Sequence, residues 1–286
     1  MVRRFLVSAG AVVASALLAG CMVSETKPLA KVSAVQAVAQ IEQAQLLDVG
    51  VREFDQNIPA QIATDEEALA KKRIYPEIRK AEADLIPTML RSTLETSSQW
   101  GAVRVVPPSV QFVDVLVTGR ILESTGVHLA LEIHVTDSSG RIWINHRKYE
   151  SDADTGSYKT EASLRARDPF QNVYSQIAND MVQQRELLSA AERREVRRIT
   201  SLRFAEDIAP GALSGYLQAD AKTGLTHVLR LPATDDPVAV RVERIRERDA
   251  AVIDTVDGYY SGFSEKLRDS YGAWRRASFD PTDKED

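Results

Sequence analysis

FVDVLVTGRILESTGVHLALEIHVTDSSGRIWINHRKY, residues 112–149, is the stretch that decides the fold. Three runs rich in Val, Ile and Leu span Phe112 to Glu123, Val127 to Thr136 and Arg141 to Tyr149. They are separated by Glu123-Ser124-Thr125-Gly126 and Asp137-Ser138-Ser139-Gly140. Runs of this kind bounded by turn signals read as strands. Polar residues closing on Gly suit a type I turn with the Gly in the left-handed conformation. The first turn pairs Glu123 with Val127, which puts Val115, Val117, Ile121, Leu129, Leu131, Ile133 and Val135 on one face. Turn and hydrophobic pattern thus agree on an antiparallel meander. The same rule at the second turn puts Trp143 and Asn145 on that face and Ile142 and Ile144 on the other. A slip of one residue reverses those two sets. Both registers stay open, as does a cover on both sides of the sheet.

Outward from the meander, Ala102 to Val106 reads as a further strand, and Leu46 to Phe54 alternates as a strand does. Gln56 to Lys72 is polar, a loop with a helical end. Ile78, Ala81, Leu85, Met89 and Leu94 then fall on one helical stripe. Pro87 lies inside that helix, where proline breaks the ladder. The expectation is a kink near Leu85, or a second helix capped by Asp84. Asp152 to Arg167 is polar and reads as a loop.

The rest is helical. Phe170, Val173, Tyr174, Ile177, Met181 and Leu188 form one stripe. Ser189 and Glu192 form a capping box that opens a helix carrying Val196, Ile199 and Leu202. Leu213, Tyr216 and Leu217 suit a short helix or turn, and Thr226 to Leu231 an isolated strand. Asp235-Asp236-Pro237 starts a helix with a carboxylate cap and Pro at its first position. From Val238 to Trp274 apolar residues hold a 3–4 spacing, with Gly258 and Gly262 as candidate breaks. The fold class is therefore α+β. A small α/β domain with a mixed, largely antiparallel sheet (46–150) precedes a helical region (169–279), and the charged end from Asp280 reads as frayed. Ahead of the sheet, residues 21–45 read as a tether. Val32, Val35, Val38 and Ile41 give it an imperfect helical stripe, and a solvated linker is preferred to a partner-binding helix.

The 286 residues include 36 Lys+Arg and 41 Asp+Glu, for a formal net charge of -5, with 44% hydrophobic residues. These values are ordinary for a globular chain and exclude collagen, wholesale disorder and a multi-span membrane protein. Mild acidity provides no global electrostatic case for nucleic-acid binding. The single Cys excludes an intramolecular disulfide and a Cys-rich zinc site.

That Cys ends a distinctive start. Arg3 and Arg4 are followed by an uncharged, apolar run from Phe5 to Gly20. The run is shorter than the ~20 residues of a spanning helix and ends in small residues, the pattern of a secretory signal peptide over residues 1–20. Leu18-Ala19-Gly20-Cys21 resembles the lipobox of bacterial lipoprotein precursors. The resemblance implies cleavage after Gly20, diacylation of the Cys21 thiol and acylation of the new amino terminus. It thus implies a lipid bilayer partner reached through Cys21. Met22, where an Asp would favour inner-membrane retention, implies the periplasmic face of the outer membrane in a two-membrane bacterium.

The core carries a second likeness. Val117-Thr118-Gly119-Arg120-Ile121, followed by Val135 to Trp143 with its Asp137-Ser-Ser-Gly140-Arg-Ile142-Trp143, resembles the α/β domain of the TolB amino-terminal domain, the curli secretion lipoprotein and related envelope lipoproteins. There a strand with G-x-I/L leads to a hairpin ending D-x-x-G-x-I/V-x-W. The likeness covers about a hundred residues. The whole chain also looks like uncharacterised proteobacterial lipoproteins, which implies no known activity.

Candidate chemistry is sparse. His128 and His134 stand six residues apart on one strand, about 20 Å, too far to share an ion; His146 can approach Glu132. No metal site and no cofactor are expected. Gly211-Ala-Leu-Ser214-Gly215 misses the nucleophile-elbow spacing, and Asp235-Asp236 reads as a cap rather than a catalytic pair. No catalytic residue is expected. Arginines at 193, 194, 197, 198, 241, 244, 246 and 248 are interleaved with Glu, the mark of a solvated helix face. Tyr260, Phe263 and Trp274, in an aromatic-dense end, are the candidate partner surface, since Tyr and Trp favour interface hot spots. The expected function is a non-catalytic assembly or scaffold component of a cell-envelope complex, with an unknown envelope protein as partner. The alternative is an anchored envelope hydrolase or ligand-binding protein.

Overall fold

A computed structural model describes residues 30–279. The lipobox residues Leu18, Ala19, Gly20 and Cys21, and the charged end from Asp280, lie outside the described residues. The architecture is α+β, with a five-stranded mixed sheet in the first half and helices in the second. The strands are β1 (Val49–Arg52), β2 (Val103–Val106), β3 (Val115–Ser124), β4 (His128–Asp137) and β5 (Ile142–Asp152), in the order β2-β1-β3-β4-β5. β1 pairs in parallel with β2 and β3, and β3-β4-β5 form the antiparallel meander. Helices α1 (Glu66–Lys71) and α2 (Pro76–Thr96) connect β1 to β2. After the sheet come α3 (Glu161–Ala166), α4 (Gln171–Glu186), α5 (Ala190–Ile208), α6 (Pro210–Leu213), the hairpin β6 (Leu217–Ala219) and β7 (Thr226–Val228), and α7 (Pro237–Phe279).

The face of the meander is as expected, but its register is not. Val115, Val117, Ile121, Leu129, Leu131, Ile133 and Val135 are all fully buried. Ile121 stands opposite Leu131 and Glu123 opposite Ala130, with a bulge between them. The pairing is thus shifted from the Glu123–Val127 register by two residues along most of the ladder. Side chains alternate with period two, so a shift of two keeps the buried set intact. Thr125 holds the longer turn: its hydroxyl accepts the N–H groups of Val127 and His128.

At the second turn neither simple register holds. Two irregularities and the left-handed backbone of His146 (φ 44°) let both Trp143 and Ile144 face inward, while Ile142 and Asn145 are exposed. Bulges absorb the odd residue and rotate the strand locally.

The two core motifs acquire physical reasons. A Cβ on Gly119 would lie 2.7 Å from the Phe54 ring, so the ring needs a glycine there. Asp137 organises the second turn: Oδ1 accepts from Ser139 N, Ser139 Oγ and Arg141 N, and Oδ2 accepts from the Trp143 indole. Gly140 sits at φ 90°, a conformation that glycine adopts without steric cost.

α2 is one helix through Pro87, without the restart at Asp84. Proline at 87 leaves the carbonyl of Ala83 without its helical donor. The backbone N–H of Phe54 donates to that carbonyl at 3.0 Å, so the neighbouring chain makes good the missing bond.

Ile86, Leu90 and Leu94 of α2 and Val173, Tyr174, Ile177 and Met181 of α4 share one core with the sheet residues. That core continues to Val196 of α5. The core thus draws residues from both sides of the 152–167 stretch. The stretch 152–167 is not a bare loop either: it holds a 3-10 turn (Thr155–Tyr158) and α3, and Tyr158 is buried with its hydroxyl donating to Gly126 O. Thr226–Val228 is not isolated, since it pairs with β6. Gly258 and Gly262 do not interrupt α7, which runs unbroken for 43 residues, ~64 Å at 1.5 Å per residue.

The tether has no helix over Val32–Ile41. Two asparagines one heptad apart on α4 hold it extended. Asn172 accepts from Val32 N and donates to Ala30 O, and Asn179 accepts from Val35 N and donates to Ser33 O.

Candidate functional site

Among the described residues, the outer face of the sheet, α7 and a groove beside α5 carry chemistry or exposed apolar surface. On the outer sheet face His134 and His146 stack with centroids 4.4 Å apart, and His146 Nδ1 lies 3.3 Å from Glu132. Burial, and then electrostatic repulsion from the neighbouring His146 ring, push the His134 imidazole below its ordinary value. His146 does reach Glu132, as the strand spacing suggested. Among the described residues, no three His, Cys, Asp or Glu side chains are grouped to hold a metal ion. Ser214 is exposed at the end of α6. Asp236 accepts from Val238 N and Ala239 N, so it is the cap of α7.

α7 buries little of itself: Val242, Asp257, Ser264, Gly272 and Arg275. The polar members explain how so long a helix is held. Asp257 accepts from Val105 N on edge strand β2 at 2.7 Å and from Arg91 at 2.8 Å. An edge strand presents unpaired backbone groups, and here the helix satisfies one of them. At the C-terminal end Arg275, 2% exposed, donates to Asp168 at 3.0 Å and lies over the rings of Tyr271 and Phe170. Tyr271 donates to the fully buried Glu82 at 2.7 Å, and Glu82 also accepts from Ser124.

The candidate partner residues on this helix separate into two kinds. Trp274 stacks on Tyr271 and meets Tyr75 edge-on, so its ring packs within the molecule. Phe263 is 41% exposed, and Tyr260 is half-buried beside it. The most open members are Tyr259 (75% exposed), which belongs to the aromatic-dense end, and Val252 (61%), which the aromatic pattern missed. With Val256 and Phe263 they repeat at i, i+4, i+7 and i+11, the signature of one helix face. Amphipathic spacing was visible; which side faced the protein was not, because α7 is held largely by buried polar groups.

Beneath Tyr260, burial and then Glu53 push the Asp84 carboxyl up from 3.8 to about 6. Between pH ~4 and ~6 the unfolded chain ionises this group while the folded chain keeps it protonated, so folding loses stability as pH rises through that window. Asp84→Asn removes the penalty. The variant should match the parent at pH 4 and exceed it at pH 8 by about 1 kcal/mol after solvent screening. Urea unfolding at the two pH values checks this, and an equal difference at both would refute it.

The third region is a groove of about 410 Å³ between α5, the 231–232 segment and α7. Its lining includes Leu202, Ala205, Leu213, Leu231 and Val242, with Arg194, Arg197 and Arg198 along α5 and Glu243 opposite. The α5 arginines are not simply a solvated face. Arg193 donates to Gln45, Arg194 approaches Glu42 at 3.5 Å, and Arg197 donates to the carbonyls of Gln43 and Leu46. They clamp the end of the tether.

No family model matches the chain. No curated protein matches it either. Among solved structures it is similar to a Xanthomonas campestris protein assigned to family model DUF330, at 13% identity and a TM-score of 0.29. The alignment covers 58% of this chain and 95% of that one. Among the described residues no helix is long and apolar enough to cross a membrane.

Proposed function

We propose that the protein is a lipid-anchored, non-catalytic component of a cell-envelope complex, held by acylated Cys21 on the periplasmic face of the outer membrane. α7 would present its open face to an envelope protein partner. The observation that carries the reading is that a 43-residue helix buries so few residues and leaves Val252, Tyr259 and Phe263 exposed along one side. Lipobox resemblance supplies the anchor. Ala30 is held by Asn172, four residues from the Asp168 that holds Arg275. The described chain therefore begins close to the end of the molecule where α7 terminates.

Two measurements test this reading. Cys21→Ala should move the protein from the membrane fraction to the soluble fraction and abolish acyl labelling, since single acyl chains already add ~0.8 kcal/mol per buried methylene. Photo-crosslinkers at Tyr259 and Phe263 should capture one discrete envelope protein in living cells, and one at Trp274 should not. Unchanged fractionation of Cys21→Ala defeats the anchor. Equal silence at all three positions defeats the partner surface.

A further inference from the structure

The groove beside α5 goes beyond the scaffold reading, and the argument for it does not use the anchor. Its two sides differ in kind. The floor is made by Leu202, Leu213 and Val242, and the exposed Leu231 (54%) forms an apolar lip. The other side carries three arginines against a single carboxylate, Glu243, which is already engaged by two hydrogen bonds from Arg246. Arg197 is committed to backbone carbonyls and Arg194 to Glu42. Arg198 is exposed and pairs with no carboxylate among the described residues. The site thus joins an apolar trough to an unneutralised guanidinium.

We propose that this groove binds a single-chain anionic amphiphile, its acyl chain along the apolar floor and its carboxylate or phosphate headgroup on Arg198. About 410 Å³ lies toward the low end of the roughly 300–1,000 Å³ of small-molecule pockets, which suits one chain rather than two. Charge selects the class: a neutral or cationic headgroup leaves Arg198 unpaired, whereas an anionic one forms a charge-assisted hydrogen bond. Leu231, more than half exposed at the lip, is apolar surface that a bound chain would help cover.

The test is titration calorimetry of the full chain with palmitate, lysophosphatidylglycerol and uncharged monopalmitoylglycerol below their aggregation concentrations. Saturable one-to-one binding of both anionic probes, with the uncharged one weaker by ~10-fold or more, is expected from one charged contact. Arg198→Glu should erase that preference, and Leu231→Asp should weaken all three probes. Both side chains are exposed, so circular dichroism should remain that of the parent. Absence of saturable binding overturns the proposal. So does equal affinity for anionic and uncharged probes, or indifference to Arg198→Glu. A concentration-dependent dimer that Leu231→Asp dissolves would assign the groove to a second copy of the chain instead.

Discussion

Arg275→Met should destabilise the protein by about 3–5 kcal/mol, the usual cost of breaking a buried ion pair from one side. Arg275 is among the largest fully buried side chains, and its guanidinium pairs with Asp168 while lying over Phe170 and Tyr271. Methionine restores much of the packing but leaves Asp168 charged and largely buried without its partner. The damage should be local as well as global. A Cβ on Gly126 would collide with the backbone carbonyl of Arg275, so the last turns of α7 lie directly on the β3–β4 turn. Their release should expose the amides of residues 264–279 to exchange before the sheet unfolds. Urea denaturation measures the total, and amide exchange locates it. Adding Asp168→Asn should recover part of the loss, because the stranded charge is then gone. A loss below ~1 kcal/mol would mean that α7 is held by its apolar contacts and Asp257 alone.

Asp137→Ala should cost a similar amount by another route. One buried carboxylate accepts from two backbone N–H groups, one hydroxyl and one indole N–H. Each buried donor left unsatisfied costs ~1–3 kcal/mol. Ser139 and Trp143 are both under 8% exposed, so water cannot readily replace the carboxylate at either. The sum is about 3–5 kcal/mol, discounted for rearrangement of the turn. Asp137→Asn keeps one acceptor oxygen but turns an amide N–H toward the Trp143 indole, or toward the turn. It should cost less, about 1–2 kcal/mol. Trp143 lies 6.1 Å from Trp100, so near-ultraviolet circular dichroism reports on the same site. If Asp137→Ala unfolds at the same urea concentration as the parent, the hydrogen bonds do not hold the turn.

What these residues made legible, and what they hid, follows one rule. Period-two alternation in 115–135 identified the buried face of the sheet, and the Ser189–Glu192 box and the Asp236 cap marked helix starts. All are local patterns, in which side chain and backbone a few residues apart decide the outcome. The same locality explains why an α+β fold was readable. Register, the unbroken α2, the extended tether and the seat of α7 were not. Each depends on a partner far away in the chain: Phe54 N–H for the Ala83 carbonyl, Asn172 and Asn179 for the tether, Glu82 and Asp168 for Tyr271 and Arg275. Tertiary structure also divided the candidate aromatic surface, packing Trp274 against Tyr75 and Tyr271 while leaving Tyr259 open. It brought α5, Leu231 and α7 together as a groove that no contiguous motif announces. The sequence by itself determined the five sheet strands and the longer helices, because those preferences are local, but not α3, which read as loop, or β6, which read as a helix or turn. Only the tertiary structure decided which faces remain free, because a side chain's exposure depends on what is packed against it from elsewhere in the chain.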